Sequence, residues 1–363
     1  MKGRLYLLIL AAAFGYIFGL AAPANAQWSI ATADGKSNLN LGFLSQLQYE
    51  GLDNAAATHT GQNLFLRRLR LIAGGKINDN LSFFFETDSP NLGKGTAEGT
   101  KTASTMTIQD FVLTYSFSNE FKLDGGMLLV PVSHNAQQSA ASLLLVDYGP
   151  YSFQHSTPLN SVVGRDYGLQ ARGYLADNHL EYRLAVLQGN RGTTSTMPFR
   201  TTARVVWYPF EADTGFFYTG TTLGKKQILA IGGSYDEQQN YKAYSGDIFL
   251  DQPVGGGNSL TLQADYTNFD GGTTFVTLPQ QKALLVEGGF FVASAKASPI
   301  VQFSKLTYDS ETSTYENQQK IAGGVAVYFN GHRNNLKALV EQIKQDNAPN
   351  RMQYVVQWQV FTY

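Results

Sequence analysis

The sequence has no cysteine, which excludes disulfide bonds, thiolate metal sites and a covalently attached c-type haem. Charge is also scarce, since charged residues make up 15% of the 363 residues and the formal net charge is -1. A chain so close to neutral lacks the basic surface that nucleic-acid binding requires. These absences predict no nucleic-acid partner and no cofactor.

Long apolar runs are missing as well. Beyond residue 22 the longest run is the five residues 325–329, far short of the ~20 that a membrane-spanning helix needs. The run at 5–22 is the exception; Lys2 and Arg4 precede it, and the small residues 24–26 follow it. A membrane anchor is the alternative, but this order is typical of a cleaved secretory signal peptide. We predict that residues 1–26 are removed and that 27–363 is exported.

What the chain does have is strict alternation of apolar and polar residues, most visibly in residues 65–90, FLRRLRLIAGGKINDNLSFFFETDSP. Leu69, Leu71 and Ala73 alternate there with Arg68 and Arg70. A period of two indicates a strand with two unlike faces. In a soluble sandwich the polar face would meet bulk water, whereas in a membrane barrel it would meet the lumen and the apolar face would meet lipid.

The rest of the chain favours the barrel. Alternating segments of the length that a tilted membrane strand needs recur about sixteen times, near residues 38–50, 63–76, 80–89, 106–118, 120–132, 161–176, 179–190, 198–210, 226–237, 243–254, 258–269, 283–294, 298–309, 318–330, 334–346 and 350–363. The connections between them largely alternate short and long. We therefore predict an all-β, transmembrane antiparallel β-barrel of about sixteen strands, with short periplasmic turns and long external loops. Two connections do not fit, because 211–225 is too long for a turn and 347–349 too short for a loop.

The last residues, VVQWQVFTY, resemble the strand with a terminal aromatic residue that outer-membrane assembly machinery reads. Val356, Trp358 and Val360 share one face of this strand, whereas Phe361 and Tyr363 fall on the other. A β-bulge would explain the change of face.

Three stretches carry a resemblance to a known family: FLRRLRLIAGGKINDNLSFFFETD, GGMLLVPVSHN and GRDYGLQARGYLADNHLEYRLAVLQGN. They resemble the phosphate- and polyphosphate-selective (O/P-like) family of outer-membrane porins. The resemblance implies a homotrimer of sixteen-stranded barrels in outer-membrane lipid. It also implies passive diffusion of small hydrophilic solutes and ions, including anions such as phosphate.

The stretch 133–160 is the third outward connection, the one that general porins fold into the lumen as a constriction loop. Pro131 cannot donate to a strand ladder and so ends the preceding strand. Leu128, Val130 and Val132 take the lumen phase of that strand, where water would favour polar residues. An inserted loop that brings residues 142–148 against them would cover this apolar surface. We therefore predict that 133–160 lies in the lumen.

The candidate site is a set of lumen-phase and loop residues, expected to line the pore and its constriction: Arg67, Arg68, Arg70, Glu86, Asp88, Asp110, Lys122, His134, Asp147, Arg172, Arg183 and Arg204. Their charges are mixed, and residues 133–164 contain no Lys or Arg. Neither positive nor negative electrostatic potential should then dominate in the pore, so we expect weak ion selectivity and no tight phosphate site. Arg70 should lie almost opposite Glu86 or Asp88, either as part of a charged narrow zone or as a satisfied cross-strand ion pair.

Two other functions are compatible with such a barrel. A barrel hydrolase would need a Ser, a His and an acid, and only His134 and His155 share a loop with serines and with Asp147. The same two histidines would also be a metal pair of undefined geometry. A structural sheath would house a partner such as a haem protein, although about sixteen strands enclose a water channel rather than an empty sheath.

Overall fold

The computed structural model describes residues 28–53, 60–96, 98–161, 163–312 and 314–363. The predicted signal peptide, 1–26, lies outside these residues. No helix among them is long and apolar enough to cross a membrane.

The described residues form seventeen strands. Their bounds are β1 Trp28–Ala31, β2 Asn38–Asp53, β3 Thr60–Lys76, β4 Leu81–Asp88, β5 Thr107–Ser116, β6 Lys122–Leu129, β7 Arg165–Leu175, β8 Leu180–Leu187, β9 Arg200–Trp207, β10 Ile228–Gln238, β11 Tyr241–Gly255, β12 Asn258–Asp270, β13 Gln281–Phe291, β14 Ala297–Tyr308, β15 Gln318–Asn330, β16 Asn334–Gln345 and β17 Arg351–Phe361. Two short helices interrupt the long connection after β6: α1, His134–Gln137, and a 3-10 helix, Gln154–Leu159.

Sixteen of these strands close into a barrel. Each strand from β2 to β17 pairs antiparallel with the next, and β17 pairs with β2 to complete the ring. The predicted all-β, sixteen-stranded antiparallel barrel is confirmed, and each predicted segment corresponds to one strand. The short β1, which pairs with residues 38–41 of β2, was not predicted.

Alternation divides every strand between an outer and an inner face, as β3 illustrates. Leu71 is 51% exposed on the outside of the barrel, whereas the neighbouring Arg70 is 5% exposed on the inside. Large apolar side chains are exposed in the same way on the outer faces of the other strands, among them Phe111, Leu113, Leu169, Leu184, Val186, Val205, Val301 and Val340. The apolar face is therefore the outer one, and the arginines point into the lumen.

The connections differ in length between the two ends of the barrel. At the end that we call the turn end, β3 and β4 are joined by 77–80 and β7 and β8 by 176–179, where Ala176, Asp177 and Asn178 have positive φ. At the opposite end, the loop end, 130–164 joins β6 to β7. The connection 208–227 is the long exception at the turn end, and 239–240 is a two-residue turn at the loop end.

The expected bulge in the last strand is absent. The pairing of β17 with β16 and with β2 continues without a register shift as far as Val360 and Phe361. Phe361 and Tyr363 therefore keep the lumen phase, and both pack inside the barrel near Leu44 and Ile72. Their change of face follows from ordinary alternation rather than from an inserted residue.

Leu71→Arg tests the assignment of the outer face. A charged side chain on the lipid face near mid-membrane should lower the free energy of unfolding by about 2–4 kcal/mol, because it meets hydrocarbon. Leu64→Arg is the matched control: Leu64 lies on the same face of β3 but close to the loop end, where the cost should be about 0–1 kcal/mol. The measurement is urea unfolding in lipid vesicles, and equal costs at the two positions would contradict the assignment.

Candidate pore and constriction

The connection 130–164, here called the inserted loop, crosses the lumen. After leaving β6 it first contacts β12, where the backbone N–H of Asn135 donates to Asp265 (2.8 Å) and the side chain of Gln138 to Gln263 (2.7 Å). Ser133 caps α1 by accepting from the backbone N–H of Ala136 (3.3 Å). These bonds fix one end of the loop to β12; that 133–160 forms the constriction remains a prediction.

The far side of the inserted loop is held by polar side chains of the opposite wall. One ammonium and three amides on β16, β17 and β2 donate to backbone carbonyls of the loop. The bonds are Gln46 to Ala140 (3.2 Å), Gln359 to Ala141 (2.8 Å), Lys337 to Leu143 (2.5 Å) and Leu145 (2.7 Å), and Gln357 to Val146 (3.2 Å). A buried, unpaired carbonyl is costly, so these bonds fix the path of the loop.

The apolar part of the inserted loop packs against a different wall from the one expected. Leu144, Leu145 and Val146 join a cluster with Ile300, Ala322, Ala326, Tyr328, Leu339 and Val355, on β14 to β17. Leu128, Val130 and Val132 are instead covered by Val112, Ala185 and Leu187 of the wall and by Phe216. The prediction that residues 142–148 cover Leu128, Val130 and Val132 is wrong, because the loop carries them across the lumen.

Phe216 belongs to the connection 208–227, here called the inward connection, which enters the lumen from the turn end and meets the inserted loop. Tyr218 bonds to it in both directions: its N–H donates to Gln137 (2.8 Å), and its carbonyl accepts from Ser139 (2.9 Å). The N–H of Gly220 also donates to Ser142 (3.1 Å). The lumen is therefore occupied from both ends. This is the connection whose length did not fit the sequence pattern.

His134 lies where the inserted loop, the inward connection and β11 meet. Its ring stacks between Tyr218 (centroids 4.9 Å apart) and Phe249 (4.1 Å), and Nε2 lies 3.3 Å from the carbonyl of Thr219. Burial lowers the pKa of His134 to about 4, so the ring is neutral at neutral pH. It contributes packing here and no charge.

Ion pairs dominate the wall around these two segments. Each arginine of the predicted site has a carboxylate partner: Arg67 and Arg68 with Asp147, Arg70 with Glu86 and Asp88, Arg172 with Asp124, Arg183 with Glu181, and Arg204 with Asp247; Arg165 likewise pairs with Asp110. For Arg70, the ion pair is the alternative that the geometry supports, with distances of 2.6 Å to Glu86 and 3.1 Å to Asp88.

Most of the twelve predicted site residues are covered by other parts of the protein. Nine are buried, namely Arg68, Arg70, Glu86, Asp88, Asp110, His134, Arg172, Arg183 and Arg204. Arg67, Lys122 and Asp147 keep part of their surface accessible. That the set lines the path of solutes remains a prediction, and these three are its accessible members.

Asp147 is the point where the inserted loop is tied to β3. A β-bulge opposite Gln46 and Leu47 leaves Arg67 without a partner in the ladder, so that Arg67 and Arg68 both reach Asp147 (2.6 and 2.5 Å). Burial alone would raise the pKa of Asp147, but the two guanidinium groups outweigh it and hold the pKa well below its usual range. Asp147 is therefore charged at any pH at which a cell lives.

The residues considered for catalysis or metal binding do not converge. Asp147 bonds to Arg67 and Arg68, His134 to the inward connection, and His155 stacks against Phe269 (6.2 Å). Neither histidine forms a hydrogen bond with Asp147 among the described residues. Within the same residues, no three His, Cys, Asp or Glu side chains lie together as metal ligands would.

Comparison with known proteins identifies the family to which this barrel belongs. The profile of the family described as "Phosphate-selective porin O and P" matches residues 39–228, which is 190 of the 363 residues. The chain belongs to this porin family. No curated relative matches it in sequence.

Solved structures with similar folds are porins and other outer-membrane proteins of low identity. The anion-selective porin of Comamonas acidovorans has a TM-score of 0.61 at 12% identity, over 90% of this chain and 100% of that one. OmpF of Salmonella typhi, in complex with daunomycin, has a TM-score of 0.60 at 14% identity, over 92% and 100%. OmpT of Vibrio cholerae, in its trimer form, has a TM-score of 0.55 at 11% identity, over 89% and 99%. These likenesses support the fold alone.

Sequence reasoning missed several residues that shape the lumen of this porin. Tyr218, Phe216 and Phe217 of the inward connection were not singled out, nor was Lys337, which holds the inserted loop. The only signal for the inward connection was its length. For Lys337 the signal was a lysine at a lumen-phase position of β16 with no acid opposite it in β17, where the partner is Gln357.

Removing residues 139–148 tests whether the inserted loop limits the pore. A short Gly-Ser link in their place should leave the barrel assembled and raise its single-channel conductance clearly, because these residues cross the lumen. Removing the exposed residues 193–196, at the loop end, should leave conductance unchanged. An assembled first variant with unaltered conductance would show that the loop does not limit the path.

The buried pair of Arg204 and Asp247 (2.6 Å) offers a test of wall electrostatics. Arg204→Met should lower the free energy of unfolding by about 3–5 kcal/mol, because it leaves a buried carboxylate unpaired. The double variant Arg204→Met, Asp247→Leu should recover most of the lost free energy of unfolding, because no charge is then left unpaired. Lys282→Met, which breaks the exposed pair with Asp309, is the control, with an expected cost of about 1 kcal/mol or less. A double variant less stable than Arg204→Met would contradict this account.

Proposed function

We propose that this outer-membrane porin is a narrow diffusion channel that has little preference for either sign of charge and no tight phosphate site. The observation that carries the proposal is the pairing of its lumen arginines with carboxylates of the wall or the inserted loop. A phosphate needs several unpaired cations or N–H groups to replace its hydration. Small hydrophilic solutes and ions would pass beside the inserted loop without such a binding step.

Acids of the wall that take part in no ion pair among the described residues support the same proposal. Asp265, Glu287 and Asp251 are buried on the lumen side, and the ion pairs of the described residues include none of them. Their partners are neutral donors, such as Gln302 for Glu287 (3.0 Å) and Thr261 for Asp251 (3.1 Å). Carboxylates held in this way add no attraction for an anion.

Two further features of the proposal come from the family and the sequence. A homotrimer in outer-membrane lipid is the assembly that the family resemblance implies, and a neighbour of similar fold is described in a trimer form. Export through a cleaved signal peptide, residues 1–26, would bring the chain to that membrane.

The two rival functions find less support. A sheath for a partner such as a haem protein needs a vacant lumen, whereas the inserted loop and the inward connection occupy this one. A hydrolase needs its acid, base and nucleophile together, and Asp147, His134 and His155 have separate partners.

Planar-bilayer recordings of the purified trimer test the proposal. In a tenfold KCl gradient we expect a reversal potential close to zero, because neither sign of charge dominates the accessible wall. Phosphate titrated against the chloride current should reduce it only in the millimolar range. A block at micromolar phosphate would overturn the proposal and point to Arg67 as part of a binding site; a protein that forms no channel would overturn the porin function itself.

A further inference from the structure

An aromatic cluster faces the accessible part of the lumen at the turn end. Phe84 of β4 lies within 5.3 Å of Phe217 and 6.3 Å of Phe216, both on the inward connection, and within 6.0 Å of Tyr363 at the chain's end (ring centroids). All four rings are half-buried. Water-facing apolar patches of this kind are unusual inside a polar channel and commonly mark ligand surfaces.

The same region is where the lumen opens. On β4 and β5 the lumen-phase residues nearer the turn end, Ser82, Thr114 and Ser116, keep part of their surface accessible, whereas Glu86 and Asp110, farther along the same strands, are buried. We call this partly accessible surface the chamber; it is bordered by the aromatic cluster and, farther along the strands, by the buried and ion-paired Glu86 and Asp110.

Two lysines that form no ion pair among the described residues add positive charge to this chamber. Lys122 is half-exposed opposite Ser116, and its only hydrogen-bond partner among the described residues is Asn119 (3.3 Å). Lys76 is exposed at the turn end of β3 and takes part in no ion pair of the described residues. Arg172, paired across the ladder with Lys122, has its guanidinium carbon 5.3 Å from the centre of the Phe216 ring, which ties the basic side of the chamber to its aromatic side.

We infer that this chamber is a binding subsite for small organic anions that carry an aromatic ring. The rings of Phe84, Phe216 and Phe217 would contact the planar face of such a solute, since aromatic pairs gain more than their buried area alone. Lys122 and Lys76 would attract its carboxylate. This inference rests on the proposed porin function. It adds one class of solute that the channel would bind before releasing it at the turn end.

Benzoate is the probe. Isothermal titration calorimetry of the purified trimer in detergent, with the heat from empty micelles subtracted, measures the affinity for benzoate. In bilayer recordings, benzoate added at the turn end should reduce the chloride current. Cyclohexanecarboxylate, which has the same charge and size without a π-face, should bind about two- to tenfold more weakly. Benzyl alcohol, which has the ring without the charge, should also bind more weakly.

Variants separate the two contributions. Phe217→Leu should weaken benzoate binding by about two- to tenfold and leave cyclohexanecarboxylate unchanged, whereas Lys122→Gln should weaken both anions. Phe111→Leu, which alters an exposed ring on the lipid face, is the matched control and should change neither. Phe216→Leu serves if the Phe217 variant does not assemble, as judged by the heat-resistant folded form.

The outcomes distinguish this inference from the porin function. A conducting trimer that binds benzoate and cyclohexanecarboxylate equally, or whose benzoate affinity does not respond to Phe217→Leu or Phe216→Leu, would overturn the subsite and leave the porin function standing. Ring-dependent benzoate binding by a protein that conducts no ions would uphold the subsite and overturn the channel.

Discussion

A chain segment inside a closed barrel cannot take hydrogen bonds from the wall's backbone, because the strand ladder has used them. The inserted loop must therefore find side-chain partners for its own carbonyls, and this requirement explains much of the lumen. Gln46, Gln359 and Lys337 are long enough to reach it from the wall. An unpaired buried carbonyl would cost about 1–3 kcal/mol, so each of these residues stabilises one path of the loop over others.

The same reasoning explains the abundance of ion pairs. Once the inserted loop and the inward connection fill the middle of the barrel, little water reaches the charges of the wall. A charge buried without a partner is costly, whereas one that is paired and hydrogen-bonded is tolerated. Arg183 is an example, since it bonds to Glu181 (2.6 Å), to the side chain of Gln137 (2.6 Å) and to the carbonyl of Phe216 (3.1 Å). The charged side chains of the wall are thus mostly paired with one another, and Arg68, Arg183 and Arg204 also bond to the two segments.

The sequence predicted those features that depend on neighbouring strands. Alternation located the sixteen strands of the barrel, and the register of one hairpin was enough to place Arg70 beside Glu86 and Asp88. It failed where the contact joins distant parts of the chain. Tyr218 meets residues 137–139 of the inserted loop, about eighty positions earlier, and no periodicity links two irregular segments. For the same reason, the wall that receives Leu144 and Leu145 was misjudged: an apolar run predicts burial but not the strand against which it is buried.

The inward connection also changes what limits passage through this barrel. A single loop that narrows the lumen leaves an opening bordered by the opposite wall. Here a second segment covers Leu128, Val130 and Val132, so the lumen is narrowed from both ends along its β6 to β11 side. Accessible charge remains at only a few lumen side chains, among them Arg67 and Asp147 where the inserted loop meets β3. The charge that the lumen presents is therefore that of a few accessible side chains and not the sum of all lumen charges, because most of those charges are buried and paired.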